Sequence, residues 1–197
     1  MHGRLRQLPN IISGFRILLV LPIAIALWRH QYVATIALFA VAAGSDAADG
    51  FLAKRFGWQT PLGGVLDPAA DKLLLATVFV MLAVLGLVPI WLMAVALARD
   101  FIIVSGALAY RWYLGPVAAR PTAVSKLNTL CQAVFVLAAI ARAQFSLPPA
   151  WAIVALGAAT FATLAVSGID YVLRYGTRAH REFKDRAGAR PAGSASP

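Results

Sequence analysis

The sequence has few charged residues, and this scarcity argues against an ordinary soluble protein. Asp, Glu, Lys and Arg make up only 13% of the 197 residues, whereas hydrophobic residues make up 60%. Soluble domains carry about 25% charged residues. The composition therefore predicts an integral membrane protein, and the length fits one domain without a separate soluble module.

Cysteine and acidic residues are also scarce. The single Cys131 excludes an intramolecular disulfide bond. Lys and Arg number 18 against 8 Asp and Glu, which gives a formal net charge of +10. Such an excess can indicate nucleic-acid binding, but here the basic residues gather at the ends of apolar segments. That distribution is typical of membrane topology, so no nucleic-acid partner is expected.

Six apolar segments each approach the ~20 residues that cross a bilayer. They cover residues 11–28, 32–53, 68–88, 89–114, 124–144 and 150–173. We therefore expect an all-α, polytopic membrane protein with six transmembrane helices. Basic residues flank the first, second, fourth and sixth segments on one side, which predicts that both termini are cytoplasmic. Residues 1–175 would form the transmembrane domain. Residues 176–197 would form a basic cytoplasmic tail, which starts as a solvated helix end and continues as disordered chain.

Half of the acidic residues fall in one short window between apolar segments. They are Asp46, Asp49, Asp67 and Asp71. The first two are three residues apart and the last two are four apart, so each pair shares one face of a helix. Glycines and a proline between the pairs interrupt the helix. The simplest geometry is two helices joined by a short turn, with four carboxylates facing a shared cavity.

A cation is needed to hold four carboxylates together, because like charges at short range repel. No His or Cys lies nearby to indicate zinc. Ligands that are all oxygen favour a hard divalent ion, so we expect Mg²⁺ or Mn²⁺ in a site for one or two ions. Carboxylate-bound metal pairs are suited to phosphoryl transfer.

The spacing of these residues resembles the signature of the CDP-alcohol phosphatidyltransferases. The matching pattern is Asp46-x-x-Asp49-Gly50-x-x-Ala53-Lys54, eight residues, then Gly63-x-x-x-Asp67-x-x-x-Asp71. Lys54 departs from the pattern, since the family usually has Arg there. The positive charge is kept, but the two-pronged guanidinium group is lost.

The resemblance implies a reaction and a set of roles. Members of the family transfer a phosphatidyl group from CDP-diacylglycerol to an alcohol, release CMP and are commonly homodimers. Asp71 would be the general base. The ligands of a two-ion Mg²⁺ or Mn²⁺ site would be Asp46, Asp49, Asp67 and Asp71. The CDP-binding residues would be Asp46, Asp49, Gly50, Ala53, Lys54, Gly63 and Asp67.

Two further stretches bear on the acceptor alcohol. Arg99-Asp100 lies in the fourth segment, and Arg120-Pro-Thr-x-x-Ser-Lys126-x-Asn-Thr-x-x-Gln opens the fifth. They resemble the CMP-forming cardiolipin synthases, which implies phosphatidylglycerol as acceptor and cardiolipin as product. The alternative is glycerol-3-phosphate, as in the related phosphatidylglycerophosphate synthases. Because Arg99 and Asp100 are neighbours on a helix, we expect them to have separate partners. Candidate acceptor-binding residues are Lys126, Arg99, Arg120, Asn10 and Arg16.

A membrane cation transporter is the alternative from another functional class, since intramembrane carboxylates can line an ion pathway. The aspartates cluster at one interface and no inverted repeat is visible, which favours the enzyme. We expect the protein in a bacterial cytoplasmic membrane, with the active site facing the cytoplasm, where a cytidine nucleotide is available.

Overall fold

The computed structural model describes the backbone of residues 8–56, 63–114 and 123–188. Side chains are described over residues 14–45, 69–106 and 124–173, together with Leu108 and Trp112. Over these ranges the chain forms six helices. They are α1 (Leu8–Trp28), α2 (Tyr32–Phe56), α3 (Gly63–Val84), α4 (Ile90–Leu114), α5 (Ala123–Phe145) and α6 (Ala150–Gly188). The predicted all-α fold is confirmed.

Helix α3 ends at Val84, before the end predicted from hydropathy at residue 88. Gly86 has a φ of 73°, a left-handed conformation that costs glycine little. The Gly86 amide donates to the Ala83 carbonyl at 3.1 Å, and the Leu87 amide donates to the Leu82 carbonyl at 2.9 Å. This pair of bonds terminates the helix while satisfying its last carbonyls.

Helix α6 continues to Gly188, past the end of its apolar segment at residue 173, as expected for a solvated helix end. The tail from residue 176 therefore begins as helix, and residues 189–197 lie outside the described part of the chain. Hydropathy marks where an apolar run stops, but Arg, Ala, Glu and Lys are good helix formers and can prolong a helix beyond it.

The helices pack around one apolar core. Helix α1 packs against α2 and α3, α5 packs against α6, α2 and α3, and α4 packs against α6 and α3. Ile23, Leu27, Val78 and Leu82 are buried in this core. The rings of Phe79 and Phe135 lie 6.1 Å apart and join α3 to α5.

Large apolar side chains also cover the outside of the bundle. Leu18, Phe101 and Val154 are each more than 70% exposed, at 72%, 73% and 71%. Soluble monomers rarely expose apolar surface so widely, whereas a lipid environment favours it. Among the described residues, Val124–Phe145 and Ala150–Leu173 are long and apolar enough to cross a membrane by length and composition. The protein is a membrane protein.

Short connections over residues 29–31, 85–89 and 146–149 join the helices in pairs at one end of the bundle. Exposed Trp28, Trp91 and Trp151 stand in the helical turns beside them, and we call this the tryptophan end. Helix α2 runs away from this end, and α3 returns to it. Asp46 and Asp49 lie in the C-terminal half of α2, and Asp67 and Asp71 lie in the N-terminal half of α3. Both pairs are therefore at the end of the bundle opposite the tryptophan end.

Candidate active site

Asp71 on α3 makes an ion pair with Arg16 on α1. The Arg16 Nη1 donates to the Asp71 Oδ1 at 2.5 Å. The Arg16 side chain is fully buried, whereas that of Asp71 is 35% exposed. A buried guanidinium is costly without a partner, so the packing of α1 on α3 and this ion pair support each other. Arg16 therefore fixes the position of a carboxylate that remains partly accessible.

Arg99 on α4 joins three helices through its guanidinium group. Its Nη1 donates to the Asp100 Oδ1 at 2.6 Å, and its Nη2 donates to the Ser125 Oγ on α5 at 3.2 Å. The same Nη2 donates to the Ser167 Oγ on α6. The fork of donors on a guanidinium suits this branched arrangement, which Lys could not reproduce.

The expectation that Arg99 and Asp100 have separate partners is wrong, because they form an ion pair with each other. Their Cβ atoms do diverge around the helix, but the long Arg99 stem brings the guanidinium back to the neighbouring carboxylate. The Asp100 Oδ1 also accepts a hydrogen bond from the Lys72 Nζ of α3 at 3.2 Å. Asp100 thus connects cations on two helices.

A cavity of about 180 Å³ lies where these groups meet, between α3, α4 and α5. We call it the polar cavity. Nine described residues line it, among them Asp71, Lys72, Arg99, Asp100, Ser125 and Lys126. Three of the nine are cationic and two are carboxylates, so the lining carries one excess positive charge. Such a lining is suited to binding a phosphate group, which accepts charge-assisted hydrogen bonds.

The structure brings together three of the predicted site residues, since Asp71, Arg99 and Lys126 all line the polar cavity. Arg16 is adjacent through Asp71 but is not among the nine described residues of the lining. Arg120 lies outside the described residues. Asn10 belongs to α1, but its side chain is not described.

The remaining predicted residues are placed by their backbone alone. Asp46, Asp49, Gly50, Ala53 and Lys54 lie on α2, and Gly63 and Asp67 lie on α3. The expected arrangement of one aspartate pair on each of two helices is therefore present in the backbone. Side-chain positions of Asp46, Asp49 and Asp67 fall outside the described set, so the carboxylate cluster stays a prediction.

Lys72 and Ser167 belong to the site but were missed by sequence reasoning. Lys72 has a local signal, since it follows Asp71 directly with opposite charge. Ser167 has none, because its contact with Arg99 depends on the packing of α6 against α4. Thr129 and Gln132 also line the cavity from α5, on the stretch that suggested an acceptor site.

The donor chemistry of the site fits a divalent cation. Asp71 on α3 offers a partly exposed carboxylate at the polar cavity. Asp67 also lies on α3, and Asp46 and Asp49 lie on α2. Carboxylate oxygens are the ligands that Mg²⁺ and Mn²⁺ prefer. The residues present are therefore suited to the metal that the sequence pattern implies.

Comparison with known proteins places the chain among relatives of one kind. The sequence profile of the CDP-alcohol phosphatidyltransferase family matches residues 6–167. The CMP-forming cardiolipin synthase of Homo sapiens is 29% identical, over 90% of this chain and 64% of its own length. A probable phosphatidylglycerophosphate synthase of Mycobacterium tuberculosis is 30% identical, over 88% of this chain and 83% of its own length.

A third relative matches over a shorter stretch. The CDP-diacylglycerol–glycerol-3-phosphate 3-phosphatidyltransferase of Pseudomonas fluorescens is 44% identical over 39% of this chain and 40% of its own length. The chain spans only 64% of the human relative, but the family profile covers most of the chain and includes all four aspartates. The chain belongs to the CDP-alcohol phosphatidyltransferase family.

Proposed function

We propose that this protein is an enzyme of phospholipid biosynthesis that transfers a phosphatidyl group from CDP-diacylglycerol to an alcohol and releases CMP. The observation that carries the proposal is the polar cavity, where Asp71 lies beside the cations Arg99 and Lys126. Helix α3, which lines one side of this cavity, also carries Asp67 and Asp71 of the family's aspartate pattern, and the other two aspartates of the pattern lie on α2. A base, phosphate-binding cations and a place for a divalent metal are the elements that phosphoryl transfer needs.

The CDP group would bind on the aspartate side of the site. Asp46, Asp49, Asp67 and Asp71 would hold Mg²⁺ or Mn²⁺, which would neutralise charge on the diphosphate. Gly50, Ala53 and Gly63 have small side chains or none, which would let the nucleotide approach the helix backbones. Lys54 would add a positive charge near the diphosphate, without the fork that the family's Arg provides.

Asp71 is the residue that would accept the proton from the acceptor hydroxyl. The hydroxyl oxygen would form a bond to the phosphorus nearest the lipid, while the bond from that phosphorus to the bridging oxygen of CDP breaks. CMP would leave with the electron pair of that bond. Arg16 would keep the Asp71 carboxylate oriented towards the cavity throughout, from the buried side of α3.

The acceptor would bind through its phosphate to the cations of the polar cavity. Arg99 and Lys126 line that cavity, and we retain Arg120, Asn10 and Arg16 as further candidates for acceptor binding. We propose phosphatidylglycerol as the preferred acceptor, with cardiolipin as product. The alternative acceptor is glycerol-3-phosphate, with phosphatidylglycerophosphate as product. Relatives named for each of these two products match the chain at similar identity.

For topology we propose six transmembrane helices in a bacterial cytoplasmic membrane, with the termini and the active site on the cytoplasmic side. The alternation of the helices supports the spans, and so do exposed tryptophans at both ends of the bundle, with Trp112 at the end opposite Trp28, Trp91 and Trp151, since Trp is enriched at both membrane interfaces. The orientation rests on the distribution of basic residues. Residues 1–175 would form the membrane domain, followed by a basic cytoplasmic segment over residues 176–197. We further propose a homodimer, on the basis of the family resemblance.

An acceptor panel tests the function. Purified protein receives labelled CDP-diacylglycerol with phosphatidylglycerol, glycerol-3-phosphate, serine or inositol phosphate in turn, and the lipid products are identified by mass spectrometry. We expect cardiolipin from phosphatidylglycerol and little product from the others. Phosphatidylglycerophosphate without cardiolipin would promote the alternative acceptor. Cation flux in proteoliposomes without any lipid product would instead support a transporter.

A further inference from the structure

A second cavity lies on the other side of Arg99, between α4 and α6. It is a groove of about 440 Å³, within the range of about 300–1,000 Å³ that is typical of ligand pockets. Val95, Ala98 and Ile102 line it from α4, and Leu164, Gly168 and Ile169 line it from α6. Of the described residues in the lining, Arg99 alone is charged. We call this cavity the α4–α6 groove.

Arg99 belongs to the linings of both the polar cavity and the α4–α6 groove. Its guanidinium group bonds to Asp100 and Ser125 at the polar cavity. Its aliphatic stem faces the groove, since a Cβ atom at Gly168 would lie 3.7 Å from the Arg99 Cγ. An apolar stem with a polar head commonly marks the boundary between apolar and polar surroundings.

One polar atom at this boundary is left without a protein partner. The Arg99 Nε is buried, and no hydrogen-bond acceptor for it is found among the side chains and backbone that the structure describes. The whole residue is only 7% exposed. Buried donors are normally satisfied, so an acceptor oxygen from a bound molecule would complete the coordination of this guanidinium.

The outer wall of the α4–α6 groove faces the membrane. Ile102, Ile169 and Val172 line the groove and are each about half exposed. They lie on the same apolar exterior as Phe101 and Val166, which are also exposed. A molecule in the bilayer could therefore enter the groove from the side, without passing through water.

We infer that the α4–α6 groove holds an acyl chain of a phospholipid acceptor whose headgroup enters the polar cavity past Arg99. This inference rests on the proposed function and specifies the substrate class within it. Charge complementarity alone does not separate a lipid from glycerol-3-phosphate, because both carry a phosphate for the same cations. An apolar groove that shares its charged residue with the phosphate-binding cavity favours the lipid.

The acceptor is a better occupant of the groove than the donor lipid. The diphosphate of the donor belongs with the aspartates on α2 and α3, whereas the groove is formed by α4 and α6. Of the two cations assigned to the acceptor phosphate, Arg99 lines both the polar cavity and the groove, and Lys126 lines the polar cavity. The acceptor headgroup and its acyl chain would then be bound on opposite sides of the Arg99 side chain.

Filling the groove tests the inference by acceptor chain length. Ala98→Phe and Gly168→Leu each add apolar volume to the lining, while the exposed Ala40→Phe on α2 adds the same bulk elsewhere. We compare kcat/KM for long-chain phosphatidylglycerol with that for its deacylated headgroup, at saturating CDP-diacylglycerol. The groove variants should lower kcat/KM for long-chain phosphatidylglycerol by about tenfold, which is equivalent to losing about two buried methylenes. They should leave kcat/KM for the deacylated headgroup unchanged. Ala40→Phe should change neither value.

A photolabelling experiment reports on the groove without catalysis. Phosphatidylglycerol with a photoreactive group in its acyl chain should label peptides of α4 and α6 in the wild-type protein, and labelling should fall in Ala98→Phe. Equal losses of kcat/KM for both acceptors, or a rise in KM for CDP-diacylglycerol alone, would overturn the inference. If Ala98→Phe changed only the amount of chemically cross-linked dimer, the groove would be a contact with a second copy of the chain, and the inference would also be overturned. If the chain is photolabelled as expected but no acceptor yields CMP, the proposed function fails while the lipid groove stands.

Discussion

Helix α3 has two different halves, and they show how one helix serves two purposes. In its first half, Asp71 and Lys72 are partly exposed and make ion pairs with residues of α1 and α4. In its second half, Val78, Phe79 and Leu82 are almost completely buried among apolar side chains. The first half forms a wall of the polar cavity, and the second half forms the centre of the core.

The two halves of α3 indicate that stability and binding depend on different ends of the bundle. Buried charges cost several kcal/mol each unless they are well paired, so a chain selected only for stability would place apolar residues at Arg16 and Arg99. Arg99 lines the polar cavity and Arg16 is paired with its Asp71, which favours a binding role for that region. Substitutions around the polar cavity should therefore mainly change activity, and substitutions in the second half of α3 should mainly change stability.

Removal of divalent metal should have the largest effect on activity. The family pattern of four aspartates implies a metal requirement, so excess chelator should abolish CMP release, and added Mg²⁺ or Mn²⁺ should restore it. The protein should stay folded without metal, so its helix content measured by circular dichroism in detergent should not change. Full turnover in excess chelator would contradict the metal requirement.

Asp71→Asn should reduce turnover by about 10²–10⁴-fold, as expected for loss of a general base. The change keeps the size of the side chain, so the helical signal and the elution volume in detergent should match those of the wild type. The matched control is Asp170→Asn on α6, which does not line the polar cavity and should retain activity. A near-normal rate for Asp71→Asn would remove Asp71 from the mechanism.

Phe79→Ala, in the second half of α3, should lower stability and leave activity largely unchanged. Phe79 is buried against Phe135, and truncating a buried Phe costs about 3 kcal/mol or more through lost packing and a cavity. The midpoint of thermal unfolding in detergent should fall clearly. The midpoint of Phe79→Leu should lie between that of Phe79→Ala and that of the wild type. Activity per folded molecule should change little, and a selective loss of turnover without destabilisation would break the proposed separation.

Arg99→Lys should raise the KM for the acceptor by about tenfold or more, because at least one charge-assisted hydrogen bond of the guanidinium is lost. The KM for CDP-diacylglycerol should change less. Arg142→Lys is the control at the tryptophan end, where the Arg142 Nη1 donates to the Pro148 carbonyl at 2.7 Å. Equal effects on acceptor KM from both variants would show that Arg99 acts only through stability.

Lys126→Ala should have the smallest effect, since the side chain is exposed and exposed charges are weakened by solvent. We expect a several-fold rise in the KM for the acceptor, with Lys126→Arg close to the wild type. The measurement is steady-state kinetics with each substrate varied in turn. A larger effect on CDP-diacylglycerol than on the acceptor would reassign Lys126 to the donor site.

Much of the fold follows from the sequence because apolar runs of sufficient length specify helices directly. The predicted segments 32–53, 89–114 and 124–144 lie close to α2, α4 and α5. Boundaries fail where hydropathy is not the deciding factor. Helix α3 begins at Gly63, before its apolar run, and ends at Val84, before the turn at Gly86 inside that run.

The site was predictable where residues are close in sequence, and less so where packing decides. Asp71 stood out through its spacing from Asp67, and Arg99 through its charge in an apolar segment. The ion pair between Arg16 and Asp71 joins residues 55 positions apart, so no local pattern could reveal it. The contact between Arg99 and Ser167 likewise depends on how α6 packs against α4.

The most direct test of phosphatidyl transfer is the ratio of the two products in one sample. Purified protein in detergent receives CDP-diacylglycerol, phosphatidylglycerol and Mg²⁺, and CMP and cardiolipin are measured over time. Transfer at the polar cavity predicts one cardiolipin for each CMP, with both products greatly reduced in Asp71→Asn. CMP with phosphatidic acid in place of cardiolipin, or no CMP with any acceptor, would contradict it.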